Sequence, residues 1–143
     1  LGSSGGGNHF VEFGEITLQE KNVLNLPEGS YLALLSHSGS RGLGAAIAKH
    51  YSLLAREVCR LPREAQHFAW LDLNTEEGQE YWMSMNLAGD YARACHERIH
   101  LNLAKALGLK PLANVNNHHN FAWKEEITPG RMAIVHRKGA TPA

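Results

Sequence analysis

Three short segments of the sequence concentrate side chains that bind metal ions and anions. The first runs from Gly5 to Glu12 and delivers Asn8, His9 and Glu12 within five residues, directly after three consecutive glycines. Glycine lets a backbone turn sharply and approach a ligand closely. One His and one Asn do not complete a metal or nucleotide site. This segment therefore predicts a site whose other members come from elsewhere in the chain.

The second segment, His37 to Gly44, lies directly before a predicted helix. Ser38 and Ser40 offer hydroxyl groups, and Arg41 offers a guanidinium. Unpaired N–H groups and the dipole at a helix N-terminus favour an anion, and a guanidinium adds charge-assisted hydrogen bonds. The segment predicts phosphate binding. The alternative is a glycine-rich turn with a surface arginine.

The third segment, His136 to Thr141, carries two fixed positive charges, on Arg137 and Lys138. Such groups suit a phosphate or an RNA backbone. Viewed alone, the segment is more typical of a solvated basic loop.

Histidine is abundant, with nine residues, and three of them share one context. His9, His37 and His119 each fall at the end of a predicted strand or in a connecting loop, beside a small or amide-bearing residue. Their wide separation excludes a local zinc-finger motif, but strand ends that open on one side of a sheet could bring them together. The alternative is that each histidine caps a strand or bonds a backbone carbonyl.

The residue pattern predicts strands around these segments. Alternation from His9 to Glu20 indicates a strand pair with Gly14 as a bulge or turn, and the apolar run from Tyr31 to Ser36 is typical of a strand covered on both faces. Three further strands are expected near the C-terminus. They are Leu112 to Val115, Phe121 to Glu126 and Met132 to Val135, the last two joined by a turn at Pro129 and Gly130.

Two main helices are predicted between these strands. Ile47, Tyr51, Leu54 and Val58 recur at helical spacing and end before Leu61-Pro62. A longer stripe marks a helix over about residues 76–107, with Asn74 and Glu77 as an N-terminal capping pair and Gly108 as the C-terminal cap. The stripe comprises Tyr81, Met85, Ala88, Ala92, Cys95, Ile99 and Leu103. Phe68 and Trp70, in the connection between the helices, are expected to pack on the core. The fold class is α+β with mixed or antiparallel strands.

Composition places few limits on function. The 143 residues suit one domain, and Lys plus Arg balances Asp plus Glu at 14 each, so any anion site must be local. Two cysteines without a CxxC motif, no secretory signal and no long apolar run predict a reduced, cytoplasmic compartment with no membrane. Cys59 and Cys95 are expected to pack in the core. Both ends of the sequence suggest a partial domain, truncated on either side.

Together these motifs resemble those of the RtcB RNA ligases. The resemblance rests on Gly-Asn-His-Phe-x-Glu at Gly7 to Glu12, on His-Ser-Gly-Ser-Arg-Gly at His37 to Gly42, on His119-Asn120 and on His-Arg-Lys-Gly-Ala-Thr from His136. It implies a GTP- and manganese-dependent ligase that joins an RNA 3′-phosphate or 2′,3′-cyclic phosphate end to a 5′-hydroxyl end through a guanylyl-histidine intermediate. Such an enzyme serves tRNA splicing or RNA repair, in some cases with an archease-like activator protein.

The resemblance also implies roles for individual residues. His9 matches a ligand of one manganese ion, and His37 and His119 match ligands of a second. Asn8 would contact the GTP phosphates, with Phe10 and Glu12 beside the nucleotide. The groups expected at the RNA end or its phosphate are Ser38, Ser40, Arg41, Arg137 and Lys138.

Several family features have no match within residues 1–143. The family also uses an upstream Asp and bridging Cys, and a downstream His-Gly-Ala-Gly-Arg motif whose histidine carries the guanylyl group; Cys59 and Cys95 match neither. At Asp90 and Cys95 the family has Asn, and at His96 it has Arg, which indicates a divergent subgroup. The chain alone is therefore expected to be inactive. The alternatives are a catalytically inactive RtcB-like module that binds metal or RNA ends, and a metal-dependent phosphoesterase.

Overall fold

A computed structural model describes residues 1–140 and has the predicted α+β class. In chain order the elements are β1 (Phe10–Leu18), β2 (Gly29–His37), α1 (Leu43–Cys59), a short 3₁₀ helix (Arg63–Phe68), α2 (Glu76–Leu107), β3 (Asn120–Thr128) and β4 (Arg131–Lys138). Contacts divide the chain into two compact units, the first being Leu1–Pro111 and the second beginning at Leu112. The first contains β1, β2 and the helices, and the second contains the hairpin of β3 and β4.

Strands β1 and β2 form one antiparallel hairpin whose register runs from Phe10 opposite His37 to Leu18 opposite Gly29. The predicted strand pair between His9 and Glu20 is wrong, because β1 is a single strand. Gly14 lies opposite Ala33 in an uninterrupted ladder and makes neither a bulge nor a turn.

The two faces of this hairpin have different surroundings. Side chains alternate between the faces of a strand, so Ser36 lies on the opposite face from Leu35 and His37. Ser36 hydrogen-bonds to two histidines of α2, which places the Ser36 face against that helix. Leu35 remains 56% exposed. The expectation that β2 is covered on both faces is therefore wrong, because α2 covers only one face of this hairpin.

Helix α1 forms where the apolar spacing predicts it, but its buried residue is not one of the residues that define that spacing. Ala55 is the buried residue of the helix, whereas Val58 is 58% exposed. Contact with α2 is made by Tyr51, whose ring centroid lies 5.2 Å from that of Tyr81. The helix ends at Cys59, and Arg60 follows in the left-handed conformation with φ of 47°.

The segment between the helices is attached to the end of α1 through backbone groups of Trp70. Phe68 and Trp70 are 69% and 61% exposed, so the expectation that they pack on the core is wrong. The Cys59 thiol donates to the Trp70 carbonyl at 3.0 Å, and the Trp70 N–H donates to the Cys59 sulfur at 3.3 Å. These two bonds fix the chain at Trp70 while its indole ring stays in solvent.

Helix α2 is the longest element, with 32 residues and a length of about 48 Å. Its N-cap is Thr75, whose hydroxyl accepts a hydrogen bond from the Gly78 N–H at 3.2 Å. The predicted capping pair of Asn74 and Glu77 is wrong, because Asn74 instead donates to the Asp72 carboxylate. Gly108 ends the helix in the left-handed conformation, as predicted.

The hydrophobic core of the first unit lies where α2 meets its neighbours. Cys95 is fully buried, as expected, and the other buried apolar residues are Leu18, Ala55, Ala88 and Ile99. Three of these five, Ala88, Cys95 and Ile99, belong to the stripe that predicted α2. The helix is therefore the element on which the rest of the unit packs.

The second unit is a hairpin of β3 and β4, with an irregularity between Glu126 and Thr128. The strands predicted from Phe121 to Glu126 and from Met132 to Val135 lie inside β3 and β4. The strand predicted from Leu112 to Val115 is wrong, because that segment has no regular structure. Within residues 1–140, no helix is both long enough and apolar enough to cross a membrane.

Candidate functional site

The hairpin of β1 and β2 brings two of the three predicted metal-binding histidines together. His9 immediately precedes β1, and His37 ends β2 on the neighbouring strand. Their ring centroids lie 5.8 Å apart with the planes tilted by 46°. Phe10, opposite His37 in the register, stacks on it with centroids 5.7 Å apart. The open end of the hairpin therefore carries His9, Phe10 and His37 side by side.

Arg41 reaches this cluster from the loop after β2. Its guanidinium nitrogen Nη1 donates to the His9 ring nitrogen Nδ1 at 3.2 Å and to the Ser4 carbonyl at 3.1 Å. A Cβ atom added at Gly5 would meet that nitrogen at 1.9 Å, and Gly5 has φ of 101°. The sequence uses glycine there because both the backbone conformation and the approach of Arg41 exclude a side chain.

The Arg41 contact selects one tautomer of the neutral His9 ring. A guanidinium has only donors, so Nδ1 of His9 must present a lone pair, and its neutral ring carries the proton on Nε2. An imidazole that binds a metal through one nitrogen carries a proton on the other. Neither nitrogen of His9 can therefore bind a metal while Arg41 donates to Nδ1.

The two serines of the second segment make hydrogen bonds within the protein. Ser38 is buried, and its hydroxyl donates to the Ser4 carbonyl at 2.6 Å, which attaches the N-terminal segment to this loop. The Ser40 oxygen accepts from the Gly44 N–H at 2.8 Å, in the first turn of α1. Ser40 thus satisfies one of the unpaired N–H groups at the start of that helix, and its own proton remains available to a ligand.

The predicted nucleotide contacts lie on or beside the same face of the hairpin. Glu12 is two residues after Phe10 in β1, so both side chains share the face that carries His37. Glu12 and Asn8 are exposed. An aromatic ring and a carboxylate are therefore available on one face of the hairpin, with the Asn8 amide just before β1.

The remaining predicted site residues belong to the second unit. His119 is half-buried and immediately precedes β3. Arg137 forms a two-pronged ion pair with Glu125, at 2.5 and 2.8 Å, and lies over the Trp123 ring at 5.0 Å. This hydrogen-bonded pair holds the pKa of Glu125 below its ordinary value and raises that of Arg137. Lys138 is exposed. Thr141 lies outside the described residues.

The donor set of the hairpin end suits a transition metal, because imidazole binds zinc, copper, iron and nickel well. It offers two imidazoles, His9 and His37, whose ring centroids lie 5.8 Å apart, and His9 becomes available to an ion once Arg41 moves. Among residues 1–140, no cluster of three or more His, Cys, Asp or Glu side chains forms a complete ligand set. Two histidines on one hairpin therefore supply part of a metal site.

Two features of the site were not found by sequence reasoning. The Ser4 carbonyl accepts hydrogen bonds from both Ser38 and Arg41, and a backbone acceptor has no sequence signature. Glu125, which holds Arg137, had no simple sequence signal. In the register Glu125 lies opposite Ala133 and Arg137 lies opposite Phe121, so the two residues are not a directly opposed cross-strand pair.

Comparison with known proteins identifies the family. The sequence model of the family described as tRNA-splicing ligase RtcB matches residues 1–143. The chain belongs to the RtcB family. This confirms the resemblance drawn from the four motifs.

Individual RtcB proteins show the same relationship over the entire chain. The tRNA-splicing ligase RtcB of Methanococcus maripaludis is 31% identical, and the chain covers 34% of that protein. Its counterpart from Methanocaldococcus jannaschii is 33% identical, with 17% covered. RNA-splicing ligase RtcB homolog 1 of Entamoeba dispar is 29% identical, with 30% covered. The chain spans about a third or less of the length of these relatives.

Proposed function

We propose that residues 1–143 form part of the catalytic region of an RNA ligase that joins RNA 3′-phosphate or 2′,3′-cyclic phosphate ends to 5′-hydroxyl ends. The reaction would use GTP and manganese and would serve tRNA splicing or RNA repair. Membership of the RtcB family supports the ligase class. The observation that carries the proposal for this chain is the meeting of His9, His37 and Arg41 at one end of the β1–β2 hairpin.

Each group at that end has a part in the proposed reaction. His9 would hold one manganese ion and His37 a second, and His119 is likewise assigned to manganese. Manganese when bound polarises phosphate oxygens. Arg41 would bind the phosphate at the RNA end, where a guanidinium neutralises charge that develops during transfer. Ser38 holds the Arg41 loop through the Ser4 carbonyl, which both residues contact.

Nucleotide binding is assigned to Asn8 and to the hairpin face that carries Phe10 and Glu12. Asn8 would donate its amide to the GTP phosphates. Glu12 would accept hydrogen bonds from N–H donors of the base, while Phe10 supplies an aromatic ring next to it. In the second unit, Lys138 is exposed and would bind the RNA backbone. Arg137 would have to leave Glu125 before it could do the same.

The test uses the longest natural protein that contains this chain. Incubation with labelled GTP and manganese is expected to label the protein, and a nicked RNA with 3′-phosphate and 5′-hydroxyl ends is then expected to be sealed. His37→Ala and His119→Ala should each abolish binding of one manganese ion and stop sealing. The control is His50→Ala, in α1 and outside the site, which should leave both properties unchanged.

Other results would identify the alternatives. Binding of RNA ends without any protein labelling would indicate an inactive binding module. Release of inorganic phosphate from the RNA end without GTP would indicate a phosphoesterase. Unchanged manganese stoichiometry in both the His37 and His119 variants would refute the ligand assignment even if sealing occurs.

A further inference from the structure

A second group of histidines lies on the other face of the hairpin, against α2. His96 and His100 are four residues apart on the helix, so they share one face and lie one turn apart. The His96 nitrogen Nδ1 lies 2.7 Å from the Ser36 hydroxyl oxygen, and the His100 nitrogen Nε2 lies 2.8 Å from the same atom. Two ring nitrogens from one helix thus converge on a single oxygen of β2.

The hydrogen-bond directions at this point are determined by chemistry. His96 Nε2 lies 3.3 Å from the Ser38 carbonyl. A carbonyl only accepts, so Nε2 carries the proton and Nδ1 of the neutral ring presents its lone pair towards Ser36. Ser36 then donates to His96 and accepts from His100 Nε2. His96 is therefore held in one tautomer and one orientation.

This arrangement is the one found around histidines that bind metals. Such histidines generally donate their second ring N–H to a backbone carbonyl or a carboxylate, which fixes the ring and directs the free lone pair at the ion. His96 already has this bond to Ser38. Burial, together with the neighbouring His96, lowers the pKa of His100. The His100 ring therefore favours the neutral form that a metal requires.

We propose that His96 and His100, with the Ser36 hydroxyl, bind a divalent transition-metal ion at a site distinct from the one at the end of the hairpin. The ion would take His96 through Nδ1 and His100 through Nε2, with water completing its coordination. Zinc is the best match, because it accepts imidazole and oxygen ligands in a tetrahedral arrangement. Binding requires that the Nε2 proton of His100 move to its Nδ1 and that the Ser36 hydroxyl turn its proton away from Nδ1 of His96.

Zinc hydrolase chemistry is not inferred for His96 and His100. The segment His96-Glu97-Arg98-Ile99-His100 has the H-E-x-x-H spacing in which the glutamate serves as a general base. Here Glu97 is exposed, and no cluster of three possible His, Cys, Asp or Glu ligands exists in the part of the chain that the structure describes. The three groups fit a metal-binding site that joins α2 to β2.

The site is separate from the proposed ligase site, and its test is independent of ligase activity. Ser36 and the adjacent His37 point to opposite faces of β2, so the two sites lie on either side of the hairpin. Whether one site binds metal therefore does not decide whether the other does.

The test is a titration of the full chain with Co²⁺, a spectroscopic substitute for zinc, and with Zn²⁺ in thermal unfolding. We expect a visible Co²⁺ absorption band and a Zn²⁺-dependent rise in Tm of at least about 4 °C at saturating metal. The titrations are made in a His9→Gln/His37→Gln background, which removes the imidazoles at the end of the hairpin. In that background the double variant His96→Gln/His100→Gln should lose both effects. The matched control His50→Gln/His67→Gln replaces two histidines outside the cluster and should keep both.

A measurement on the unaltered chain guards against a variant that fails to fold. Substoichiometric Cu²⁺ should broaden the imidazole NMR signals of His96 and His100 by its paramagnetism. Broadening confined to His9, His37 and His119 would overturn the proposal. Metal-induced spectra and Tm shifts that persist when a folded variant lacks His9, His37, His96 and His100 would overturn it as well.

Discussion

At the residue scale, the bond between Arg41 and His9 couples metal binding to phosphate binding at the proposed ligase site. Arg41 donates to Nδ1 of His9, so the neutral His9 ring carries its proton on Nε2. Metal binding at His9 must break this bond, and the arginine released is then available for a phosphate. The bond between Arg41 and His9 therefore opposes metal binding at His9 and favours the joint binding of metal and anion.

This coupling predicts that Arg41→Asn tightens manganese binding several-fold in a phosphate-free buffer. The variant removes a competing donor worth about 1 kcal/mol and a nearby positive charge. Asparagine tolerates the left-handed conformation of Arg41, which has φ of 53°. The affinity is measured by calorimetry on the longest natural protein. Weaker or unchanged manganese binding would contradict the coupling.

The matched control for this experiment is Arg60→Asn. Arg60 follows α1, also in the left-handed conformation with φ of 47°. It carries the same charge away from His9, so its replacement tests the general effects of removing an arginine. We expect its manganese affinity to equal that of the unaltered protein.

Sequence reasoning identified most of the hairpin-end residues but not their bonds. His9, His37 and Arg41 stand out by type and spacing, and a two-residue alternation places Phe10 and Glu12 on one face. The contacts of Arg41 with Ser4 and His9 depend on the backbone path of residues 4–8. Three of these residues are glycines, whose wide conformational freedom does not let the sequence predict that path. The same holds for Ser36 and its histidines, which meet only through the packing of β2 on α2.

At the element scale, Gly78 explains how the chain enters α2. A Cβ atom at this position would lie 2.0 Å from the Asp72 carbonyl oxygen and 3.0 Å from the Leu73 Cα. Both are backbone atoms, which cannot rotate away. Gly78 therefore lets the segment before the helix cross close over its first turn, where Thr75 supplies the cap.

We predict that Gly78→Ala destabilises the first unit by about 2 kcal/mol or more, although alanine is the better helix former. The backbone at Asp72 and Leu73 must shift to admit the methyl group, and this outweighs the gain in helix propensity. Urea unfolding followed by circular dichroism gives the free energy of unfolding. Glu80→Ala, at an exposed position of the same helix, is the control and should change stability by less than about 0.5 kcal/mol.

In the second unit, the pair of Glu125 and Arg137 predicts how β3 and β4 respond to pH. The hydrogen bonds from Arg137 lower the pKa of Glu125 from its ordinary value of 4.5. Because the folded pKa lies below the unfolded one, the pair stabilises the hairpin fully above pH 4.5. That contribution is lost as the pH falls below 4.5 and through the folded pKa.

A carbon-13 NMR titration of the Glu125 carboxyl group measures this pKa directly. We expect a midpoint below 4.5, which Arg137→Gln should return towards that value. Arg131→Gln, at the other end of β4, is the control and should leave the midpoint unchanged. An unaltered chain whose Glu125 titrates at its ordinary value would show that the pair does not form in solution.

Periodicity predicted the helices well and the strands less well, for a physical reason. The stripe of α2 extends over many turns, so one misplaced residue does not hide it. Strand signals are short, and the apolar run from Leu112 to Val115 has no neighbouring strand to pair with in the described structure. Capping failed at Asn74 because neighbouring Asp72 and Thr75 compete for the same role, and only geometry decides between them.

At the scale of the whole molecule, much of the apolar surface of the first unit lies outside its core. Leu32 and Leu35 of the hairpin are 67% and 56% exposed, and Met83 and Leu87 of α2 are similarly exposed. Leu32 and Leu35 point to opposite faces of β2, so both faces of the hairpin carry exposed apolar side chains. This agrees with a chain that spans a third or less of its RtcB relatives.

The last prediction follows from the same comparison. Residues 1–143 contain histidines suited to metal but no match to the motif whose histidine accepts GMP, so this chain alone should bind manganese weakly and acquire no label from GTP. The longest natural protein that contains it is the positive control and should be labelled under the same conditions. Stable labelling of the 143-residue chain, lost on replacement of one of its own histidines, would place the nucleophile within this region. The division of roles proposed here would then be wrong, because a histidine assigned to metal or to packing would have to serve as the nucleophile.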